Sequence, residues 1–373
     1  MKNYYKLGTF KSKGRLIKEP KHLYRTDFQR DRDRIIHSSA FRRLKHKTQV
    51  FVNTVDDHYR TRITHSIEVA QIARSVSKYL GLNDDLAETL SLAHDLGHAP
   101  FGHAGEDALN KCMLNYDGFN HNIQTLRIVM NLENSYIKFN GLNLTIETLD
   151  GLIKHNGPVL KINKQFNAIK GIKKLLKKIN INNYPSLEAQ ISSISDDIAY
   201  NNHDIQDGIA AKIFSLNDLS EISFFKQIYL KNKKKLIGKD KNILLFQVIR
   251  DSINLMVKDL INNSIYNFKK HKIYSIRDVY NAKVNLITFS NRFKNIEKDT
   301  KLFLRHNMYN NKLIMKKNNE GKKILNFLFK KISKNPKKFL KINKLTVDEY
   351  RATADYISGM TDRFAINLYN KIK

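Results

Sequence analysis

The chain has 373 residues, 41% of them hydrophobic, which is enough to bury a large core and to form two or three domains. Its single cysteine, Cys112, excludes an internal disulfide and a cysteine-rich zinc site, so any metal must be held by histidine and carboxylate. No apolar run reaches the ~18 to 20 residues of a membrane span, and the N-terminus lacks the apolar block of a signal peptide. We therefore expect a cytoplasmic protein with no membrane partner.

The net charge of +31 has two interpretations. It can mark a surface that attracts the phosphates of nucleotides or of single-stranded nucleic acid. It can equally reflect base composition, because the excess is mostly lysine accompanied by abundant asparagine and isoleucine. Between Tyr24 and Phe51 the positive charge is largely arginine, which suits bidentate phosphate contacts. These arginines are Arg25, Arg30, Arg32, Arg34, Arg42 and Arg43.

Apolar spacing along the chain predicts an all-α protein. Residues 1–24 lack a period and are expected to form an arm or loop. Residues 48–60 are β-branched and aromatic and predict a short hairpin or an extended loop. After a surface excursion that runs through residue 183, Ser186 is expected to cap a long helix. Helices are further predicted at 27–43, 62–80, from Asn83 or Asp84 to Asp95, at 104–115 and 121–132, near His155, and from a capping box at Thr346 and Glu349 onward.

The stretch from Ser91 to Glu106, SLAHDLGHAPFGHAGE, carries an unusual density of histidine, carboxylate and glycine. His94 and Asp95 supply nitrogen and oxygen donors at one place. With His65 and Asp196, on helices that can pack together, they can hold one divalent ion with positions open for water and substrate. On the helix that carries Asp196, the side chains of Tyr200 and Asp204 recur at four-residue steps and share its face.

Five strings in order resemble one branch of the HD-domain metal-dependent phosphohydrolases, the deoxyguanosine triphosphate (dGTP) triphosphohydrolase family. They are RDRIIHSSAFRRLKHKTQVF at 32–51, TRITHSIEVAQIAR at 61–74, AHDLGHAPFGHAGE at 93–106, DDIAYNNHDIQDG at 196–208 and DYISGMTDRFA at 355–365. The resemblance implies an HD-domain helical core, taken as 25–215, followed by a helical C-terminal region at 216–373. It also implies hydrolysis of a deoxynucleoside triphosphate (dNTP), with dGTP the leading candidate, to deoxynucleoside and inorganic triphosphate.

The resemblance further implies roles for individual residues. The metal ligands would be His65, His94, Asp95 and Asp196, holding Mn, Mg or Fe, with Zn as a further option. The catalytic group would be His103, Glu106, His121 and His98. Substrate contacts would come from Gln49, Arg62, Tyr200, Asp204, Tyr356 and Arg363. Homo-oligomers built from dimers, as tetramers or hexamers, and a dNTP effector are also expected from the family.

Elementary chemistry supports part of this assignment. A nucleoside 5′-oxygen that leaves the α-phosphorus needs a proton donor such as His103, and Glu106 can raise the pKa of an adjacent imidazole and fix its tautomer. Asp197 remains the alternative to Asp196 as a ligand. Ala99 and Ser195 depart from the family pattern without touching a proposed ligand. Two rival functions stay open: an HD-type phosphodiesterase or 5′-nucleotidase, and a nucleic-acid-binding protein with a regulatory metal site.

Overall fold

The computed structural model describes residues 4–49, 60–162, 164–235, 241–340 and 348–373. These ranges contain helices and isolated bridges but no strand, which confirms the all-α prediction. None of their helices is long and apolar enough to cross a membrane. Most of the predicted hairpin at 48–60 lies outside the described residues.

The α-helices are labelled in chain order. They are α1 (Asp27–Ile36), α2 (Ser39–Arg43), α3 (Arg62–Leu80), α4 (Asp84–Ala93), α5 (Gly102–Cys112), α6 (His121–Arg127), α7 (Ile146–Ile153), α8 (Ile172–Leu176), α9 (Leu187–Ala210), α10 (Leu216–Leu219), α11 (Ser223–Lys233), α12 (Lys241–Lys270), α13 (Ile276–Tyr280), α14 (Asn291–Leu304), α15 (Lys312–Lys334), α16 (Pro336–Phe339), α17 (Glu349–Ser358) and α18 (Asp362–Ile372). Single π turns extend α6 over Ile128–Leu132 and α14 over Arg305–Tyr309.

The helices around the predicted site begin at the side-chain caps that the sequence contains. The Asn83 side chain accepts a hydrogen bond from the Leu86 amide at the start of α4, and Ser186 accepts one from Ala189 at the start of α9. Helix α3 ends at Gly81, whose φ of 73° is left-handed and favours glycine. These caps fix where the two central helices, α4 and α9, start relative to α3.

Within the described residues, three hydrophobic clusters hold the helices together. The first joins α3 and α9 to α11–α14, the second joins α1, α2, α4, α6 and α7, and the third joins α5, α15, α17 and α18. The first cluster contains residues on both sides of residue 215, for example Ile198 and Val248. The long C-terminal region therefore packs directly on α9. The domain boundary at 215 stays a prediction.

Three predicted segments differ in the structure. The helix predicted over 27–43 breaks at His37 because the Ser38 side chain caps a new helix, α2. The surface excursion to residue 183 contains α8, whose Ile172 and Leu175 are buried. The final helix is two helices, α17 and α18, the first capped by the Asp348 side chain; the predicted cap Thr346 lies outside the described residues.

The N-terminal segment is a docked loop. Glu188 accepts hydrogen bonds from the Thr9 amide and hydroxyl, and Leu7 is buried in the first cluster. Arg15 forms an ion pair with the fully buried Asp31. Buried carboxylates of the core thus hold this segment in place.

Most of the arginines between Tyr24 and Phe51 pair with carboxylates of the same chain. The ion pairs within 4.0 Å are Arg25–Asp33, Arg30–Glu19, Arg32–Asp33, Arg32–Asp85, Arg32–Glu88, Arg34–Glu19 and Arg43–Glu133. These guanidinium groups have internal partners, and phosphate binding by the arginines of this segment stays a prediction.

Candidate active site

Helices α3, α4 and α9 bring His65, His94 and Asp196 to one point. His65 Nε2 lies 2.9 Å from Asp196 Oδ1, and His94 Nε2 lies 3.7 Å from the same oxygen. One donor atom from each of the three residues falls within 4.8 Å of the other two. Residues that are 131 positions apart in sequence therefore form a compact set of two nitrogens and one oxygen.

This set fits a divalent metal ion. His94 Nδ1 lies 2.6 Å from the Ser91 carbonyl oxygen, so Nδ1 carries a proton and Nε2 is the atom that faces the cluster. That Nε2 is buried and has no hydrogen-bond partner in the described part of the chain. A buried imidazole nitrogen without a partner, beside a second imidazole and a carboxylate, suits a divalent metal ion.

Asp95 lies at the edge of this set. Its Oδ1 is 3.4 Å from His94 Nε2, and its Oδ2 accepts a hydrogen bond of 2.7 Å from Arg62 Nη1. Arg62 is almost fully buried, and Nη1 is the atom through which it contacts Asp95. Asp197, the alternative ligand, faces away and pairs with Lys301 of α14 at 2.8 Å, so the geometry favours Asp196.

The cluster attracts positive charge. Burial by itself lowers the pKa of His94, but the carboxylates of Asp95 and Asp196 outweigh burial and raise that pKa to about 9. Burial raises the pKa of each carboxyl, and the imidazolium of His94 reverses this and lowers both well below their usual range. A divalent ion would replace the proton as the source of positive charge.

A second group of histidines surrounds Glu106. Its carboxylate oxygens lie 2.8 and 2.9 Å from His121 Nδ1, and one of them is 3.6 Å from His103 Nδ1. Burial raises the pKa of Glu106, but hydrogen bonds from His103 and His121 dominate and hold that pKa below its usual range. The His103 side chain is 65% exposed, so its ring is both supported by a carboxylate and accessible to a ligand.

His98 connects the two groups. Its Nε2 lies 3.2 Å from Asp95 Oδ1, while its ring stacks on that of His121 with centroids 4.0 Å apart. Burial and the nearby Arg62 guanidinium hold the pKa of His98 well below its usual value, so its imidazole is neutral. The set of His65, His94 and Asp196, called the metal-type cluster below, and the histidines around Glu106 are therefore parts of one site.

Two glycines permit this arrangement. Residues 94–101, between α4 and α5, form a loop that carries His94 and His98 and is called the histidine loop below. A Cβ at Gly97 in this loop would lie 2.0 Å from the His121 carbonyl oxygen, so α6 can approach the loop this closely only at a glycine. Gly102 has a φ of +57°, and a Cβ there would lie 3.2 Å from Arg62 Nη2 and 3.3 Å from the Gln49 carbonyl oxygen. Gln49 and Arg62 are thus both placed beside the first turn of α5, next to His103.

On α9, Tyr200 and Asp204 lie further along the face that carries Asp196. The Tyr200 ring centroid is 6.5 Å from that of His65, and Asp204 is fully buried. Tyr309, in the π turn after α14, donates a hydrogen bond to Asp204. Burial raises the pKa of Asp204 to about 7. A phenol ring and a buried carboxyl group that is partly protonated near neutral pH form a polar wall beside the histidines.

Two models of known families match the chain. The HD domain matches residues 62–201, and the phosphohydrolase-associated domain matches residues 287–371. A deoxyguanosinetriphosphate triphosphohydrolase-like protein of Pelagibacter ubique is 66% identical over 99% of both chains. The chain belongs to the deoxyguanosinetriphosphate triphosphohydrolase-like family. Proteins with the same name from Bartonella quintana, 46% identical over 97% of this chain and 92% of that protein, and Rickettsia typhi, 44% identical over 99% of this chain and 97% of that protein, are also similar.

As a member of this family the protein is an HD-domain phosphohydrolase, a metal-dependent hydrolase. The HD match contains the whole metal-type cluster and the histidine loop, while the phosphohydrolase-associated match contains Tyr309, Tyr356 and Arg363. Tyr356 packs with the third hydrophobic cluster and Arg363 is exposed. No contact within the described residues brings either of them to the histidines, so their substrate role stays a prediction.

The family's C-terminal string acts on the site through other residues. Asp355 forms an ion pair with Arg127 of α6, and the buried Asp362 accepts hydrogen bonds from the Thr48 and Phe101 amides. Lys47 Nζ donates to the carbonyl oxygens of His98 and Ser358. These contacts hold α17 and α18 against the histidine loop.

Sequence reasoning missed several site residues. Lys47, Asp355 and Asp362 lie inside the strings that carry the resemblance, and charged residue types within those strings were the available signal. Tyr309 lies in a stretch without a motif, so only the fold places it beside Asp204. The sequence predicts a helix that ends near His155, as α7 does, but gives no sign that His155 lies against Asp196.

Proposed function

We propose that this protein hydrolyses deoxynucleoside triphosphates, releasing the deoxynucleoside and inorganic triphosphate. The observation that carries the proposal is the 3.2 Å contact between His98 and Asp95, which joins a metal-type cluster to a carboxylate-supported histidine. In the proposal the metal ligands are His65, His94, Asp95 and Asp196. A bound divalent ion would supply positive charge to the α-phosphate and to the attacking water.

The leaving group determines what the protein must provide. Water adds to the α-phosphorus, the bond to the 5′-oxygen breaks, and that oxygen needs a proton as it departs. His103 is the exposed imidazole that can donate it, and Glu106 holds the ring by its Nδ1 side. His121 shares the same carboxylate and so stabilises its ionised form. The single N–H of the neutral His98 is directed at Asp95 through Nε2, so His98 is proposed to connect this metal ligand to the ring of His121 near the phosphates.

The polar wall on α9 is the proposed sugar site. Tyr200 offers a flat ring for a deoxyribose to pack on, and Asp204 with Tyr309 offers hydrogen-bonding groups for a sugar hydroxyl. Arg62 and Gln49 are proposed to contact phosphate and sugar from the other side. Because the relatives are named for dGTP, guanine is the first base to test.

The test is to incubate the purified protein with Mn²⁺ or Mg²⁺ and each dNTP or rNTP separately, and to resolve the products by ion-exchange chromatography. A deoxynucleoside with intact triphosphate supports the proposal. Diphosphate or monophosphate products refute it. Cleavage of simple monophosphates or diesters, with no action on triphosphates, would identify the phosphodiesterase or nucleotidase alternative. His103→Ala is the matched control, since it leaves the metal-type cluster intact.

The remaining partners stay predictions from the sequence. They are a dimer-based homo-oligomer, a dNTP effector and single-stranded nucleic acid. The nucleic-acid alternative predicts salt-sensitive binding that His103→Ala leaves unchanged.

A further inference from the structure

His155 is fixed in a tight turn directly after α7. The neighbouring Lys154 is buried, and its Nζ forms an ion pair of 2.8 Å with Asp150 one turn back. The Gly157 amide donates a 2.8 Å hydrogen bond to the Lys154 carbonyl oxygen, and Gly157 has a left-handed φ of +100°. The backbone on both sides of His155 is therefore held in place by local contacts.

The His155 side chain contacts two members of the metal-type cluster. Its Nε2 lies 3.8 Å from Asp196 Oδ2, and its ring stacks on that of His94 with centroids 5.3 Å apart and an interplanar angle of 26°. The side chain is only 12% exposed. At 3.8 Å this contact is longer than a hydrogen bond, and the carboxylate would have to turn toward His155 to form one.

The two oxygens of Asp196 are thus divided between different partners. Oδ1 faces His65 and His94, which supply the other donor atoms of the cluster, whereas Oδ2 faces His155. A carboxylate that is free to rotate would exchange these oxygens. A donor on the Oδ2 side prevents the exchange and keeps Oδ1 directed at the cluster.

We propose that His155 is a positioning residue of the metal centre, whose Nε2–H restrains Asp196 through Oδ2. This inference rests on the metal site of the proposed function. It assigns His155 no contact with the metal, because an Nε2 that donates a proton to Asp196 has no lone pair left for coordination. Outer-sphere partners of this kind typically change metal affinity about 10- to 100-fold.

The test compares three substitutions in the full-length, metal-free protein. His155→Gln retains an N–H donor at nearly the position of Nε2, His155→Phe retains a ring that can stack on His94, and His155→Ala retains neither. Mn²⁺ binding is measured by isothermal titration calorimetry without nucleotide. We expect a loss of affinity of about 10- to 100-fold in the Phe and Ala variants and rescue to within about threefold of wild type in the Gln variant.

Two results would overturn the inference: wild-type affinity in the Ala variant, or affinity in the Gln variant as low as in the Ala variant. Melting temperatures of the metal-free proteins separate misfolding from lost positioning; if the Phe variant does not fold, the Ala and Gln variants give the same comparison. The binding measurement contains no nucleotide and is therefore independent of the proposed reaction. If the Mn²⁺ affinity depends on His155 but the protein cleaves no dNTP, the proposed reaction is refuted and this inference stands. A wild-type protein that binds no Mn²⁺ would refute both.

Discussion

Asp204 is expected to lower the stability of the folded protein at neutral and alkaline pH. Burial raises its pKa from 3.8 to about 7, so the folded state retains a proton that the unfolded chain has already lost. The shift of about 3 units corresponds to about 4 kcal/mol, at 1.36 kcal/mol per unit. The groups that face this carboxyl are Tyr200 and Asp207 on α9, Tyr309 after α14, and Arg60 before α3.

The sign follows from proton linkage. Between pH 3.8 and about 7 the folded state binds more protons at this site than the unfolded state, so this group makes the free energy of unfolding fall as pH rises. Above about pH 7 the whole destabilisation is present. Asp204→Asn has nearly the same shape and still accepts a hydrogen bond from Tyr309, but it cannot ionise. We compare the free energy of unfolding of Asp204→Asn with that of wild type. The variant's value minus the wild-type value should be about 3 kcal/mol larger at pH 8 than at pH 5.

Urea unfolding of wild type and Asp204→Asn at both pH values measures how their difference in free energy of unfolding changes with pH. The contributions of the other titrating groups are common to both proteins and cancel. Asp107→Asn, at an exposed carboxylate, is the matched control and should change by less than about 0.5 kcal/mol. A relative stability of Asp204→Asn that does not depend on pH would refute the argument that burial of this carboxyl is costly. The same variant is expected to hydrolyse dNTPs less well, because the proposed sugar site loses its carboxyl.

Three further predictions concern the histidine and metal clusters. His103→Ala should reduce turnover about 10²- to 10⁴-fold in a product-release assay while Mn²⁺ still binds; loss of the metal would contradict its assignment as a proton donor. Asp196→Ala should lose bound Mn²⁺ in a metal analysis and should lose activity. Asp197→Ala, which removes only the pair with Lys301, should retain the metal, and the reverse result would exchange the two assignments. Gly97→Ala should lower the free energy of unfolding in urea by more than about 1 kcal/mol, since its Cβ would lie 2.0 Å from a backbone oxygen; wild-type stability would show that α6 can move away.

The sequence predicts where the donor residues of the metal-type cluster lie on their helices, because helix periods and caps are local. His65 lies in the first turn of α3, His94 directly after α4 and Asp196 within α9, and Asn83 and Ser186 cap α4 and α9 as expected. The sequence says less about the partners of the arginines before residue 51. Arginine is equally suited to phosphate and to carboxylate, and the sequence does not state which carboxylates the fold brings within reach.

The sequence by itself therefore determined the helical class, the family strings and the residue types of the site. Those features depend on spacing within one helix or loop. Tertiary structure alone decided that Tyr309 meets Asp204, that Asp362 holds Phe101, and that His155 meets Asp196. These pairs are far apart in sequence, and their contacts arise only when packing of the hydrophobic clusters fixes how the helices cross, which no local pattern encodes.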